Sequence, residues 1–307
     1  MTDATIRSGA AAIAKGSQSF AAAARLFDRP TRESAVMLYA WCRHCDDVVD
    51  GQELGRTAMR EAPGTPAERL EILEQKTRAV LDGVPAEDAA FAGLGRVVEH
   101  HAIPGRYPLA HLDGFRMDVE ERRYGTIKDT LDYCYHVAGV VGVMMAYVMG
   151  SREPAVLDRA CDLGLAFQLT NIARDIVPDA QVGRVYVPAE WLAEAGIPAD
   201  EVAAPRHRDK LAGLAGRLVD TAEPYYASAL AGIAALPPRA AWAITTARGV
   251  YRQIGVEIKR RGPHAWDQRV STSTAQKLGH VARGGLIALT RSRTEPGRRE
   301  GMWRRPA

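Results

Sequence analysis

The feature that most constrains the fold is a helical hydrophobic period that runs along almost the whole chain. Apolar residues recur at spacings of three and four, as at Leu70, Leu73, Thr77, Val80 and Leu81, and so fall on one face of an α-helix. Alternating runs of β-branched residues, which indicate strands, are nearly absent. We therefore predict an all-α fold.

Proline and glycine mark the breaks between the predicted helices, for example at Ile103-Pro104-Gly105. No linker rich in glycine or serine and no internal repeat divides the chain. We predict a single domain over residues 1–290 and a basic, disordered tail over residues 291–307, which holds six arginines and two glutamates. The predicted helices span residues 8–27, 31–51, 66–82, 86–101, 106–122, 127–150, 154–178, 188–195, 207–235, 238–261 and 274–290.

Composition and charge exclude several classes of protein. The 307 residues are 47% hydrophobic and 25% charged, which excludes a disordered or fibrous chain. The net charge of +3 is too small to indicate a nucleic-acid partner, and none is expected. Four cysteines in helix-like stretches indicate a reduced protein. Cys42 and Cys45 are spaced as in some metal and redox sites, but no second pair follows, so packed thiols are the simpler interpretation.

No long apolar segment points to secretion or to a membrane span. The first residues lack the apolar stretch of a signal peptide. The longest nearly uncharged run, residues 137–150, is shorter than the roughly 20 residues of a spanning helix. We therefore expect a cytoplasmic protein, with the arginine-rich tail allowing peripheral contact with the inner face of a membrane.

The first group of residues suited to chemistry is a polar stripe on the helix predicted at 31–51. Tyr39, Arg43, Asp46 and Asp50 are spaced four, three and four, so they share one helical face. Two carboxylates on one face repel each other unless positive charge offsets them. A solvated helix end is the plain interpretation, but the apolar neighbour Trp41 favours a buried helix that binds a cation such as Mg²⁺.

A second helical face carries four side chains with oxygen atoms, spaced three, four and four: Gln168, Asn171, Asp175 and Asp179. Such a set suits a hard cation. Arg174 lies beside it and could hold a phosphate group. Pro178 lacks an N–H group and crowds the preceding turn, so we expect the helix to kink or end near Asp179.

Two further clusters each have alternative interpretations. Arg184 and Tyr186 follow the second acidic helix and would by themselves be a loop arginine and a packed tyrosine. Ser17 and Ser19 interrupt an alanine-rich stretch, where their hydroxyls could bond backbone carbonyls or donate to a diphosphate. Two acidic helices with adjacent arginines together indicate a diphosphate held between metal-binding walls. Because departure of a diphosphate leaves a carbocation, the cavity must be apolar and exclude water.

At these residues the sequence resembles the squalene/phytoene synthase family, most closely its bacterial phytoene synthase members, over about residues 15–270. The first matching motif is Asp46-Asp47-Val48-Val49-Asp50. The second places Gly164, Gln168, Asn171, Arg174, Asp175 and Asp179 at the family's spacing and continues to Arg184, Tyr186 and Pro188. A third stretch, from Tyr133 to Gly142, resembles the family's central tyrosine-containing helix.

The resemblance implies an isoprenoid-synthase-type helical bundle around a central apolar cavity, with an acidic motif on each of two facing walls. It implies Mg²⁺, with Mn²⁺ as an alternative, held by Asp46, Asp50, Asn171, Asp175 and Asp179. It assigns catalytic roles to Asp46, Asp50, Asp175, Asp179 and Tyr133, and matches Asp118 to a further acidic position. It implies diphosphate contacts from Ser17, Ser19, Tyr39, Arg43, Gln168, Arg174, Arg184, Tyr186, Tyr251 and Arg269.

The implied reaction is the head-to-head condensation of two geranylgeranyl diphosphates to phytoene, through prephytoene diphosphate and with release of two diphosphates. No NAD(P)H is expected. A family member that uses farnesyl diphosphate and makes a dehydrosqualene-type product is the alternative. A non-catalytic assembly factor of the same fold is a further alternative, but such a protein would be expected to lose its metal carboxylates, and both motifs are intact.

Overall fold

The computed structural model describes residues 23–51, 64–290 and 299–306. These residues form helices and connecting loops without a strand, which confirms the all-α prediction. The helices are α1 Arg29–Asp50, α2 Pro66–Leu81, α3 Ala89–His101, α4 Arg106–Val119, α5 Ile127–Cys134, α6 Val140–Val148, α7 Pro154–Gln181, α8 Ala189–Glu194, α9 Arg208–Ile233, α10 Pro238–Arg261 and α11 Thr274–Thr290.

Local sequence signals set the ends of the helices that carry the site. Asp28 caps α1 by accepting a hydrogen bond from the backbone N–H of Thr31, and Pro30 occupies the first turn. At the other end of α1, Gly51 adopts a left-handed conformation with φ of 64°, which a glycine adopts without strain. These two signals hold the polar stripe of α1 within a single regular helix.

Two helices differ in detail from the prediction. The helix predicted at 127–150 contains a π-helical turn at Tyr135–Gly139, which separates α5 from α6. The helix predicted at 154–178, with a kink or end near Asp179, continues as α7 to Gln181, two residues beyond Asp179. Pro178 lies on an exposed face close to the end of α7, where the loss of one backbone hydrogen bond is tolerated. Most of the helix predicted at 8–27 lies outside the described residues.

Helix α7 lies at the centre of the bundle and packs against α6, α9 and α10. Two glycines permit its close crossing with the π-turn and α6. A Cβ atom on Gly164 would lie 2.3 Å from the carbonyl oxygen of Ala138, and one on Gly142 would lie 2.3 Å from that of Ala160. A side chain at either position would therefore push the two backbones apart.

The end of the chain packs on the bundle, which corrects the predicted disordered tail for residues 299–306. Arg299 donates hydrogen bonds of 2.8 and 2.7 Å to the carboxylate of Asp162, which is fully buried in α7. Trp303 donates from its indole nitrogen to Asp132, at 2.6 Å. Since a buried carboxylate requires a partner, this basic segment is bound by the acidic groups beneath it.

One helical stretch in the described chain, Ile127–Val148, is long and apolar enough to cross a membrane by length and composition. Within the fold, 67% of its most apolar part is buried against other helices. A core helix of a helical bundle has the same character.

Candidate active site

A cavity of about 760 Å³ runs through the bundle between α1, α4, α6, α7 and α10. One stripe of α7 forms its longest wall and comprises Val156, Arg159, Ala160, Leu163, Gly164, Phe167, Gln168, Asn171 and Arg174. Val156 and Arg174 are 18 positions apart, which corresponds to roughly 27 Å of helix. The wall is mainly apolar in its first half and polar in its last turns, so the cavity joins a polar end to a long apolar section.

The first acidic motif lies at the polar end. Tyr39, Arg43 and Asp46 line the cavity from one face of α1, as their spacing predicts. Arg43 donates a hydrogen bond to Asp46. Asp50 lies one turn further along α1, where both of its carboxylate oxygens accept hydrogen bonds from Arg184. Arg184 lies beyond the end of α7, so this contact joins the two acidic motifs.

The second acidic motif faces the first from the last turns of α7. Arg174 donates to both oxygens of Asp175 at 3.0 and 3.1 Å, and Arg269 donates to Asp175 at 3.3 Å. Burial opposes ionisation of Asp175, but the hydrogen bonds and positive charges of Arg174 and Arg269 together outweigh it and lower the pKa of this carboxyl. The amide of Asn171 donates to the side-chain oxygen of Gln168 at 3.3 Å, which leaves the Asn171 oxygen able to accept or ligate.

In the second acidic motif, Asp179 is paired less closely with positively charged side chains than Asp175 is. Among the residues that the structure describes, no side chain donates a hydrogen bond to its carboxylate. Burial and the neighbouring charge of Asp175 raise the pKa of Asp179 to about 7, although Arg184 and Arg174 partly offset them. Asp179 is therefore short of positive charge.

A fifth carboxylate, Asp118 of α4, also lines the cavity at the polar end. It accepts hydrogen bonds from the hydroxyls of Tyr133, at 3.1 Å, and Tyr186, at 2.9 Å. The two tyrosine rings stack, with centroids 4.5 Å apart. Burial raises the pKa of Asp118 to about 6, and Arg184 counteracts this only in part. The contacts fix both tyrosine rings against the cavity wall.

The side chains at the polar end fit a hard cation. The donor set consists of carboxylates and one amide oxygen, which suit Mg²⁺. Asp46 also has its pKa raised to about 6 by burial and, to a smaller extent, by Asp50, so the cluster is short of positive charge. Within the described ranges no three acidic, histidine or cysteine side chains already form a metal cluster. Mg²⁺ commonly uses one or two carboxylates together with substrate phosphates, which agrees with acidic groups divided between two walls.

The structure brings most of the predicted site residues to one cavity. Those that line it are Tyr39, Arg43, Asp46, Tyr133, Gln168, Asn171, Arg174, Arg184, Tyr186 and Tyr251, together with Asp118 and Arg269. Asp50 and Asp175 do not line it but are bound to Arg184 and Arg174, which do. Asp179 interacts electrostatically with the same two arginines. Ser17 and Ser19 lie outside the described residues, so their predicted diphosphate contacts stay predictions.

Some cavity residues were not predicted. Phe167 stacks on Tyr251 with ring centroids 4.1 Å apart, and its place one residue before Gln168 was the available signal. Lys277 and His111 also line the cavity, but neither belongs to a motif that reveals this. Cys42 lines it as well, and burial raises the pKa of its thiol to about 12, which agrees with a packed, unreactive group.

Comparison with known proteins agrees with this geometry. Residues 13–276 match the model of the squalene/phytoene synthase family. The chain is 55% identical to the 15-cis-phytoene synthase of Pantoea ananas and 51% identical to that of Paracoccus sp. (strain N81106 / MBIC 01143), with 96% of each protein covered in both comparisons.

Two solved structures share the fold. A dehydrosqualene synthase superposes with a TM-score of 0.83 at 24% identity, covering 93% of this chain and 97% of that one. Squalene synthase HpnC from Alicyclobacillus acidocaldarius gives 0.73 at 24% identity, covering 84% and 94%. This identity supports the isoprenoid-synthase-type fold alone, whereas the family match and the two curated relatives extend over nearly the whole sequence. The chain therefore belongs to the squalene/phytoene synthase family.

Proposed function

We propose that this chain is a prenyltransferase of carotenoid biosynthesis that condenses two geranylgeranyl diphosphates head to head into phytoene. Prephytoene diphosphate is the intermediate, and two diphosphates are released. The observation that carries the proposal is one cavity with arginines and carboxylates at its polar end and a long apolar wall on the same helix. The choice of a C20 substrate over the C15 alternative rests on the identity with 15-cis-phytoene synthases.

The polar end binds the diphosphate groups. Arg43, Arg174, Arg184 and Arg269 all line the cavity and carry permanent positive charge. Arginine presents its donors in a planar fork that matches phosphate oxygens. In the structure each of these groups is held by a neighbouring aspartate, so the arginines are already oriented when a diphosphate enters.

The residues that would hold Mg²⁺, or Mn²⁺, are Asp46 and Asp50 on one wall and Asn171, Asp175 and Asp179 on the other. The chemistry that the metal would supply is neutralisation of the charge that develops on the departing diphosphate. The raised pKa values of Asp46 and Asp179 support this assignment, because a nearby cation would favour their ionised forms.

The rest of the cavity protects the reactive carbons. Leu163, Gly164 and Phe167 form an apolar wall, which excludes the water that would quench a carbocation. Tyr133 lies where the polar and apolar sections of the cavity meet, and its hydroxyl donates a hydrogen bond to Asp118. Its ring face is rich in electrons and can stabilise positive charge on the adjacent carbon chain. We assign Tyr133 this role.

A paired-substrate assay tests the proposal. Purified protein with Mg²⁺ and no nicotinamide should convert geranylgeranyl diphosphate into a C40 hydrocarbon. A C30 product from farnesyl diphosphate, without any C40 product, would establish the dehydrosqualene-type alternative instead. Absence of any product from either substrate, with Mg²⁺ or Mn²⁺, would favour the non-catalytic alternative.

The substrates and product have long hydrocarbon chains, so we further propose a cytoplasmic enzyme in peripheral contact with the inner membrane. The proposal draws on the chemistry of prenyl diphosphates and on the basic segments of the chain. Fractionation of cells expressing the full chain tests it, because a peripheral protein leaves the membrane fraction on washing with high salt.

A further inference from the structure

Helix α11 has two apolar faces, and only one of them is covered. The inner face packs on α10, where Gly284 and Ala288 are buried and Trp242 donates to the backbone carbonyl of Val281 at 2.7 Å. The outer face carries Leu278, Leu286 and Leu289, whose exposed fractions are 65%, 64% and 82%. Contiguous apolar surface of this kind commonly marks a binding surface.

The exposed leucines form a continuous stripe. With Ala275 and Ala282, which are also exposed, they are spaced three, four, four and three along α11. This spacing confines the five side chains to a sector of about 80° on the helix. We call these five residues, Ala275, Leu278, Ala282, Leu286 and Leu289, the outer stripe of α11.

The sequence segment that contains the outer stripe carries basic residues and no acidic ones. From residue 268 to residue 290 the sequence contains no aspartate or glutamate. Of the three basic residues in this range, Arg269 and Lys277 line the cavity, whereas Arg283 is exposed and follows Ala282 of the stripe. Basic residues Arg291 and Arg293 follow in the sequence. A leucine-rich face bordered by arginine, in a segment without acidic residues, is typical of helices that lie in the interface of an anionic membrane. The outer stripe contains no tyrosine, tryptophan or arginine, which are the residues enriched in protein–protein interfaces.

The stripe also lies beside the cavity. Lys277, which precedes Leu278, lines the cavity, as do the four residues 269–272 that lead into α11. A helix that touches a membrane on one side and the cavity on the other would bring the cavity close to the phase that holds prenyl chains. This last step rests on the proposed function, whereas the exposed stripe and its charge do not.

We propose that the outer stripe of α11 is the surface with which this protein binds anionic lipid bilayers. The leucines enter the boundary between headgroups and acyl chains, and Arg283 contacts the lipid phosphates. Because the three leucines already point outward, binding needs no rearrangement of the helical bundle.

Vesicle sedimentation with the full chain tests the proposal. Wild-type protein should sediment with phosphatidylcholine vesicles that contain phosphatidylglycerol, and more weakly with phosphatidylcholine alone. The double variant Leu278→Ser/Leu289→Ser should lower the partition coefficient at least about tenfold, since two exposed leucines lose their apolar burial. The isosteric variant Leu278→Ile/Leu289→Ile should bind like wild type. Arg283→Gln should reduce only the preference for phosphatidylglycerol.

The matched control is Ile72→Ser/Val84→Ser, which removes two exposed apolar side chains elsewhere, 50% and 55% accessible. Its partition should equal that of wild type. Turnover of detergent-dispersed substrate should be the same for every variant, and it is measured separately so that loss of activity and loss of lipid binding are distinguished. The proposal would be overturned if wild-type protein did not sediment with anionic vesicles. A serine variant that binds normally, or one that changes only self-association or stability, would overturn it too.

Discussion

The Arg184 guanidinium donates to both carboxylate oxygens of Asp50, although 134 positions separate the two residues in the sequence. The hydrogen bonds from Arg184 join the end of α1 to the loop after α7, and they raise the pKa of the guanidinium itself. Arg184 also interacts electrostatically with Asp118 and Asp179. It is therefore the cation shared by both acidic motifs.

Replacing this shared cation should affect catalysis strongly. Arg184→Gln should lower kcat by about 10²–10³, the usual loss when one preorganised charge-stabilising donor is removed. Arg184→Lys should recover only part of it, because an ammonium group cannot bind two oxygens in the planar geometry of arginine. Steady-state kinetics with far-UV circular dichroism as a fold control would measure this. Wild-type kcat in the glutamine variant would show that Arg184 only holds the loop.

The acidic residues should be individually required. Asp46→Asn or Asp175→Asn should abolish turnover while the helical signal stays native, because each removes a carboxylate that we assign to the metal. Asp113→Asn is the matched control, since this carboxylate is 54% exposed on α4 and does not line the cavity. If either of the first two variants turns over at the wild-type rate, the metal assignment for that residue is wrong.

The docked end of the chain should contribute to stability. Arg299→Ala leaves the buried carboxylate of Asp162 without its guanidinium and should lower the free energy of unfolding by about 3 kcal/mol. Lys259→Ala, which breaks an ion pair with an exposed Asp220, should cost less than about 1 kcal/mol. Urea unfolding of both variants measures the difference. A tail that is detached in solution would make the two losses equal and small.

The close approach of α7 to the π-turn at Gly164 predicts that two Gly→Ala substitutions have different effects on the free energy of unfolding. Gly164→Ala should cost about 1–3 kcal/mol, because its Cβ would overlap the Ala138 carbonyl oxygen. Gly213→Ala, in α9, meets no atom within 4 Å and should leave stability unchanged or raise it by up to about 1 kcal/mol. Thermal and urea unfolding would check the pair. Equal effects at both sites would contradict the close approach of the helices.

Acid should destabilise the protein partly through His111. Burial lowers the pKa of this imidazole from 6.5 to about 4, although its hydrogen bond to the His136 carbonyl opposes the shift. Between pH 6.5 and about pH 4, His111 is therefore protonated in the unfolded chain but not in the folded chain. The free energy of unfolding falls as the pH is lowered through this range. The loss should approach about 3 kcal/mol. His111→Gln should remove that part of the pH dependence in urea titrations; an unchanged profile would contradict it.

Much of the site could be predicted because its residues repeat with the helical period. Tyr39, Arg43 and Asp46 reach the cavity together for that reason, as do Gln168, Asn171 and Arg174. The helix bounds were equally accessible, since capping residues and glycines mark them.

Contacts between distant segments could not be predicted in the same way. Nothing in the local sequence pairs Arg184 with Asp50, because the arginine has several acidic neighbours in space. Trp303 was a usable signal that the tail packs, since a large aromatic ring is unusual in a free basic segment. The π-turn at Tyr135–Gly139 depends on the packing of α5 and α6 and has no clear signature in the sequence.

The long wall of α7 has a consequence for product size. Asn171 and Val156 belong to one uninterrupted helix. The distance between the polar end and the apolar end of the cavity is therefore fixed by the constant rise per residue of that helix. Loop insertions elsewhere would leave that span unaltered. A change to a longer or shorter isoprenoid product would instead require smaller or larger side chains on the cavity face of α7.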